Sequence, residues 1–269
     1  MLGCAAKEGR IKTAVAILGL ALAGCASLSD EPLLASSAVV AELARETGER
    51  VAVARFSQRR AGEALPAHWT PYLILPSKPR TDYRLVETAA GIALEASADR
   101  SASGIYRRIR IDPRAHPVLE WRWRVENLIP GADTRFAASE DSPARLMVSF
   151  HGNAERLAFG VRSQLRLARA LSGQALPYAT LMYVWSNSLP VGTVVENPHL
   201  ERIRMIVVAS GADGVGEWRS YRRNVFEDYR RAFGEEPWDI VAVGVMTDAD
   251  NTRQQARCQY GDITFLRAP

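Results

Sequence analysis

The chain has 269 residues, 47% of them hydrophobic and 24% charged, with 19 glycines, 14 prolines and a formal charge of +4. These are the proportions of a folded globular protein, and they exclude a disordered or collagen-like chain. One all-β domain suits the length, because sandwiches reach about 200–250 residues around a single core.

At the N-terminus, Lys7, Arg10 and Lys12 precede an apolar run at 13–23. At about 1.5 Å per residue the run covers about half of a hydrocarbon layer roughly 30 Å thick, so it reads as a signal peptide and not as a membrane span. Leu22-Ala23-Gly24-Cys25 follows and resembles the lipobox of bacterial lipoproteins. That resemblance implies cleavage after residue 24 and a diacylglyceryl group on the thiol of Cys25. The expected organisation is a signal peptide at 1–24, a lipidated tether with a short helix at 25–48, and a β-sandwich domain at 49–269. Two or more acyl chains hold a protein durably on a membrane. Ala26 and Ser27 stand where an aspartate would favour retention, which by resemblance to proteobacterial sorting implies the outer membrane, facing the periplasm. Residues 1–24 hold three of the 34 Lys+Arg and one of the 30 Asp+Glu, so the mature charge is +2 and no nucleic-acid partner is expected. Cys4 leaves with the signal and Cys25 is acylated, which leaves Cys258 without an intrachain partner.

Within the tether, Val39, Val40, Leu43 and Ala44 are spaced for a helix. From residue 50 the period shifts to two, with strands expected at 51–56, 72–75, 82–88, 91–97, 105–111, 118–126, 144–151, 179–187, 202–209, 240–247 and 257–266. The clearest is 118–126, where Leu119, Trp121, Trp123 and Val125 point one way and Glu120, Arg122, Arg124 and Glu126 the other. Helices are expected at 154–171, ending at Gly173, and at 224–233, where Asn224 caps, Glu227 follows three residues on and Gly234 stops. The order predicts an all-β fold, a two-sheet β-sandwich of jelly-roll type with two or three peripheral helices. No regular βαβ alternation is present, which argues against a dinucleotide fold.

The chain has no G-x-S-x-G, Walker A, G-x-G-x-x-G, H-E-x-x-H or C-x-x-C. Candidate ligand contacts are therefore read from strand faces. Glu120, Arg122 and Arg124 form the polar side of their strand, and Arg145 and His151 share a face of the next. Tyr183 and Trp185 suit either sugar stacking or a sandwich core. Arg162, Arg166 and Arg169 form a basic stripe that suits lipid head groups, an acidic polymer or plain solvent. The run Thr247-Asp248-Ala249-Asp250-Asn251-Thr252 offers carboxylate, amide and hydroxyl oxygens, and Asp262 lies on the final strand. Asp248, Asp250 and Asp262 are thus candidate Ca²⁺ ligands, although Arg253 stands where an EF-hand requires glycine; the alternative is a turn held by Asx hydrogen bonds.

Trp121-Arg122-Trp123, the segment 178–185, the segment 223–229, Phe233-Gly234, the segment 246–252 and Tyr260-Gly261-Asp262-Ile263 together resemble the bacterial domain of unknown function 3047 family over about residues 50–267. That resemblance supplies no activity. The ending Tyr-Gly-Asp-Ile-Thr-Phe is also similar to the last strand of jelly-roll carbohydrate-binding modules. Two function classes follow: an envelope-anchored module that binds a glycan or other polar ligand, and a glycan-processing enzyme in which Glu120 pairs with Asp248 or Asp250 as acid and base.

Overall fold

The computed structural model describes residues 43–268. The signal peptide, the lipidation site Cys25 and the helical positions Val39 and Val40 lie outside the described residues. Among the described residues, thirteen strands form two sheets. One sheet has six strands in the order β11 (Arg219–Asn224), β6 (Val118–Val125), β13 (Gln255–Leu266), β4 (Gly91–Asp99) and β3 (Asp82–Thr88), with β1 (Arg50–Ala54) beside the end of β13. The other has seven in the order β2 (Trp69–Leu73), β5 (Ala102–Ile111), β12 (Ile240–Asp248), β7 (Ser142–Phe150), β8 (Ala179–Ser186), β10 (Ile203–Ser210) and β9 (Val194–Glu196). Neighbouring strands run antiparallel except β8 and β10, which run parallel.

Alternation builds the sandwich. In β6 the residues Leu119, Trp121, Trp123 and Val125 are buried, while Glu120, Arg122 and Arg124 stay partly exposed on the opposite face. Trp121 is stacked between Tyr183 of β8 and Tyr221 of β11, with ring centroids 5.0 Å away on each side, so one indole ties both sheets and an edge strand together. The central strands β8 and β12 are buried along their whole length. Their outer face is covered as well, in part by helix α1 (Phe159–Ser172), whose Val161 and Leu165 cluster with Leu176. That double cover explains runs of apolar residues where a one-sided sheet would alternate.

Several element boundaries differ from expectation for local reasons. Asn153 accepts a hydrogen bond from the backbone of Glu155 and starts a 3-10 turn at Ala154–Arg156, so α1 begins only at Phe159. Helix α2 (Val225–Phe233) is capped as expected, with Asn224 accepting from the Glu227 N–H at 3.1 Å and Gly234 at φ +70. Strands β9 and β11 were not expected; β9 has three residues, and β11 reads Arg-Ser-Tyr-Arg-Arg-Asn, the charged dress of an edge strand. β2 contains Pro71, which an edge position tolerates. Leu43 and Ala44 are not helical: Arg45 donates twice to Asp239, each at 2.8 Å, and the Glu46 N–H bonds Arg110 O on β5.

Candidate functional site

The residues expected to hold a ligand do not share a face. Glu120, Arg122 and Arg124 lie outside the six-stranded sheet, where Glu120 accepts from Arg222 Nη1 at 2.6 Å and the Arg122 guanidinium lies 4.8 Å from the Trp218 ring centre. Arg145 lies outside the other sheet, a full sandwich thickness away. Tyr183 and Trp185 point into the core between them, because Ala179, Leu181, Tyr183 and Trp185 alternate inward along β8. Their polar tips are satisfied there: the Tyr183 hydroxyl donates to Asp228 Oδ2 at 2.9 Å and Trp185 Nε1 to Gly211 O at 3.0 Å. Both are core aromatics and not a sugar platform. His151 sits just past β7, about 20 Å along the chain from Arg145 at ~3.4 Å per residue, with its ring edge-on to Trp238 at 5.1 Å.

Asp262 is also elsewhere. The register of β13 against β6 shifts between Tyr260 and Ile263, and the Asp262 carboxylate accepts from the Ser57 N–H and hydroxyl at 2.9 and 2.6 Å. It borders the same shallow depression as Glu120, outside the six-stranded sheet. Two sheets separate Glu120 from Asp248, so the acid–base pairs of Glu120 with Asp248 or Asp250 do not form.

The fold instead assembles a corner where β7 begins and β12 ends. Arg145, 1% exposed, donates from Nε and Nη2 to the two oxygens of Asp248 at 2.7 and 3.0 Å, and from Nη1 to Glu140 at 2.7 Å. Asp141 holds the turn after β12, accepting from the Thr252 N–H and hydroxyl at 2.7 and 2.6 Å and from the Asn251 N–H at 3.2 Å. Lys78, the only lysine after residue 24, pairs with Asp250. Sequence reasoning missed Glu140 and Asp141, which meet a turn about 110 residues further on.

Charge here is governed by burial. Burial alone would lower the Arg145 guanidinium, but Asp248 and then Glu140 outweigh it and hold the cation above its ordinary value. For Asp248, burial pushes the carboxyl up, Arg145 pulls it back, and the neighbouring Glu140 and Asp141 push it up again, leaving it well above the usual range.

Oxygens of Asp141, Asp248 and Asp250 lie within 4.8 Å of one another. Their donor set does not fit Ca²⁺, which takes about six to eight oxygens. Arg145 occupies both oxygens of Asp248, Thr252 and Asn251 occupy Asp141, and Lys78 occupies one oxygen of Asp250. Asp250 Oδ1 alone is buried without a partner among these oxygens. Arg145 and Lys78 supply the compensation that clustered carboxylates demand.

The corner closes one end of a cleft of about 370 Å³ on the outer face of the seven-stranded sheet, between α1 and residues 72–75. Met182, Ile203 and Met246 line it from the sheet, and Leu75, Leu171 and Leu200 from the sides. Asn197 and His199 add polar groups near Glu140, with Asn197 Nδ2 donating to Glu140 at 3.1 Å. An apolar cleft of this size with a few convergent polar groups is the usual form of a small-molecule site.

No curated protein sequence matches the chain. Among solved structures, the native family 12 xyloglucanase from Bacillus licheniformis aligns over 81% of this chain and 100% of its own, at 6% identity and a TM-score of 0.42. The xyloglucanase domain of NopAA, a type three effector from Sinorhizobium fredii solved with cellobiose, aligns over 74% of this chain and 93% of its own, at 8% identity and a TM-score of 0.41. Trichoderma harzianum endoglucanase 3 of family GH12 aligns over 83% and 96%, at 7% identity and a TM-score of 0.40. At such values no residue or activity carries over. The family described as a protein of unknown function (DUF3047) matches residues 67–264, from just before β2 to within β13, and the chain belongs to that family.

Proposed function

We propose that this protein is a lipid-anchored bacterial envelope lipoprotein, on the outer membrane and facing the periplasm, whose sandwich binds a hydroxyl-rich, glycan-type ligand at the Glu140–Asp250 corner of the cleft. The observation that supports binding over hydrolysis is the engagement of every carboxylate in the corner. Glu140 and Asp248 share Arg145, Asp141 is consumed by the 251–252 backbone and hydroxyl, and Asp250 is paired with Lys78. A glycosidase needs one carboxyl free to give a proton and another free to attack or activate water. A polar corner held in place by these bonds instead presents fixed groups at the cleft wall, among them Lys78, Glu140, Asn197, His199 and Asn251, to sugar hydroxyls.

Envelope polysaccharides and their fragments, offered to the purified protein, should bind without product release, and His199→Ala, at an exposed position on the cleft wall, should weaken binding. Turnover of any of them would replace this reading with the enzyme. The anchor is tested separately. Cys25→Ala should abolish acyl labelling and free the protein from the membrane fraction, and acyl label persisting on that variant would remove the lipoprotein assignment.

A further inference from the structure

We infer that the cleft takes an amphiphile, an aliphatic chain joined to a hydroxyl-rich head that carries no negative charge, which deepens and rests on the glycan-type reading above. Four independent features point to it. First, the cleft wall is mostly apolar, with Leu75, Leu171, Met182, Leu200, Ile203 and Met246 among its residues, so a free sugar would leave most of its lining without a partner. Second, three of the four methionines after Met1 line this region, Met182 and Met246 the cleft and Met147 the space beside it. Methionine is unbranched and polarizable, and surfaces rich in it adapt to flexible apolar ligands.

Third, α1 leaves Leu167 and Leu171 61% and 57% exposed, one turn apart on the side that borders the cleft. Leucines at that spacing form one stripe, and an alkyl chain lying beneath them would cover it. A second space of about 40 Å³ lies beside the cleft under α1 and shares Tyr72, Leu176, Met182 and Leu200 with it, giving the chain further room.

Fourth, the polar end is selective by charge. Every cation that lines it is already matched by a carboxylate, Arg145 by Asp248 and Glu140 and Lys78 by Asp250, so no free positive charge is left for an anionic head. His199 Nε2 stands 3.9 Å from Glu140 at the rim. Such an end exchanges hydrogen bonds with hydroxyls, whereas a carboxylate or phosphate head finds paired carboxylates and no unpaired cation.

The test is calorimetric titration of the full chain carrying Cys25→Ala, purified without detergent, with hexyl, heptyl and octyl glucoside below their micelle concentrations, alongside octanoate and a soluble oligosaccharide. Affinity should rise about fourfold per methylene, the increment of a buried CH₂. Octanoate should bind at least tenfold more weakly than octyl glucoside. Leu171→Glu, at an exposed rim position, should flatten the chain-length dependence. An oligosaccharide that binds while the alkyl glucosides show no chain dependence would overturn the amphiphile and leave the glycan reading standing. Octanoate binding as tightly as octyl glucoside would overturn the head-group assignment. Failure of every glycoside and oligosaccharide to bind would overturn both readings.

Discussion

Arg145 is the residue on which the corner depends. It is fully enclosed, and its five donors are committed to Asp248, Glu140, the Glu140 backbone and the Met205 sulfur. Removing one partner of a buried ion pair leaves charge without compensation. Arg145→Met should therefore destabilise by roughly 3–5 kcal/mol in denaturant melts. Adding Glu140→Gln and Asp248→Asn to it should recover much of the loss, because the network is then neutral throughout; a triple variant no better than the single one would mean that packing and not charge dominates. Asp248 makes a second expectation, in pH. Its carboxyl is raised in the folded state, so the fold holds that proton more tightly than the unfolded chain does. The resulting stability is complete below the ordinary carboxylate value and declines as pH rises above it. Asp248→Asn should flatten that decline, as read from chemical melts taken from acid to mildly alkaline pH.

Two elements show how local chemistry and packing divide the work. Helix α2 is stabilised at its start by Asn224, whose carbonyl oxygen takes the Glu227 N–H, with Glu227 and Asp228 early and Arg230 and Arg231 late, as the helix dipole favours. Asn224→Ala should cost about 1 kcal/mol in a chemical melt. Strand β6 is held by packing instead. Trp123 is fully buried, lies 5.1 Å from Tyr221 and 6.3 Å from Tyr260, and fills the space between the sheets. Trp123→Ala should destabilise by roughly 3–5 kcal/mol through lost contact and a residual cavity. A loss below about 1 kcal/mol would mean that the neighbouring rings collapse into the space.

At the scale of the whole molecule, the two sheets enclose one core and seal Cys258 inside it. That thiol is 0% exposed, and burial pushes its pKa well above the ordinary value, so it is neither accessible nor ionised. In a chain with Cys4 and Cys25 replaced by serine, a disulfide reagent should label Cys258 only at the rate of unfolding, and the rate should rise with denaturant in step with the melt. Rapid labelling in native buffer would reveal a local opening of β13.

What the sequence determined by itself was whatever depends on neighbours along the chain. The period-two alternation of β6, the Asn224 cap, the Gly234 stop and the sandwich class were all legible, because capping and strand faces are set within a few residues. The family was legible too, from linked motifs in a fixed order. The site was not, and the reason is topological. Arg145 and Asp248 were each singled out, yet nothing local says that β7 and β12 are paired so that the two meet, or that Glu140 and Asp141 clasp the turn beyond β12. Tyr183 and Trp185 read equally as platform or core until the second sheet fixed which face of β8 is inside. Asp262 was assigned to the wrong neighbourhood because β13 belongs to the six-stranded sheet and β12 to the other, and a register shift in β13 then turns Asp262 to the outer face, away from Asp248. Strand pairing, register and sheet order are long-range choices made by packing, and the corner and its cleft exist only as their product.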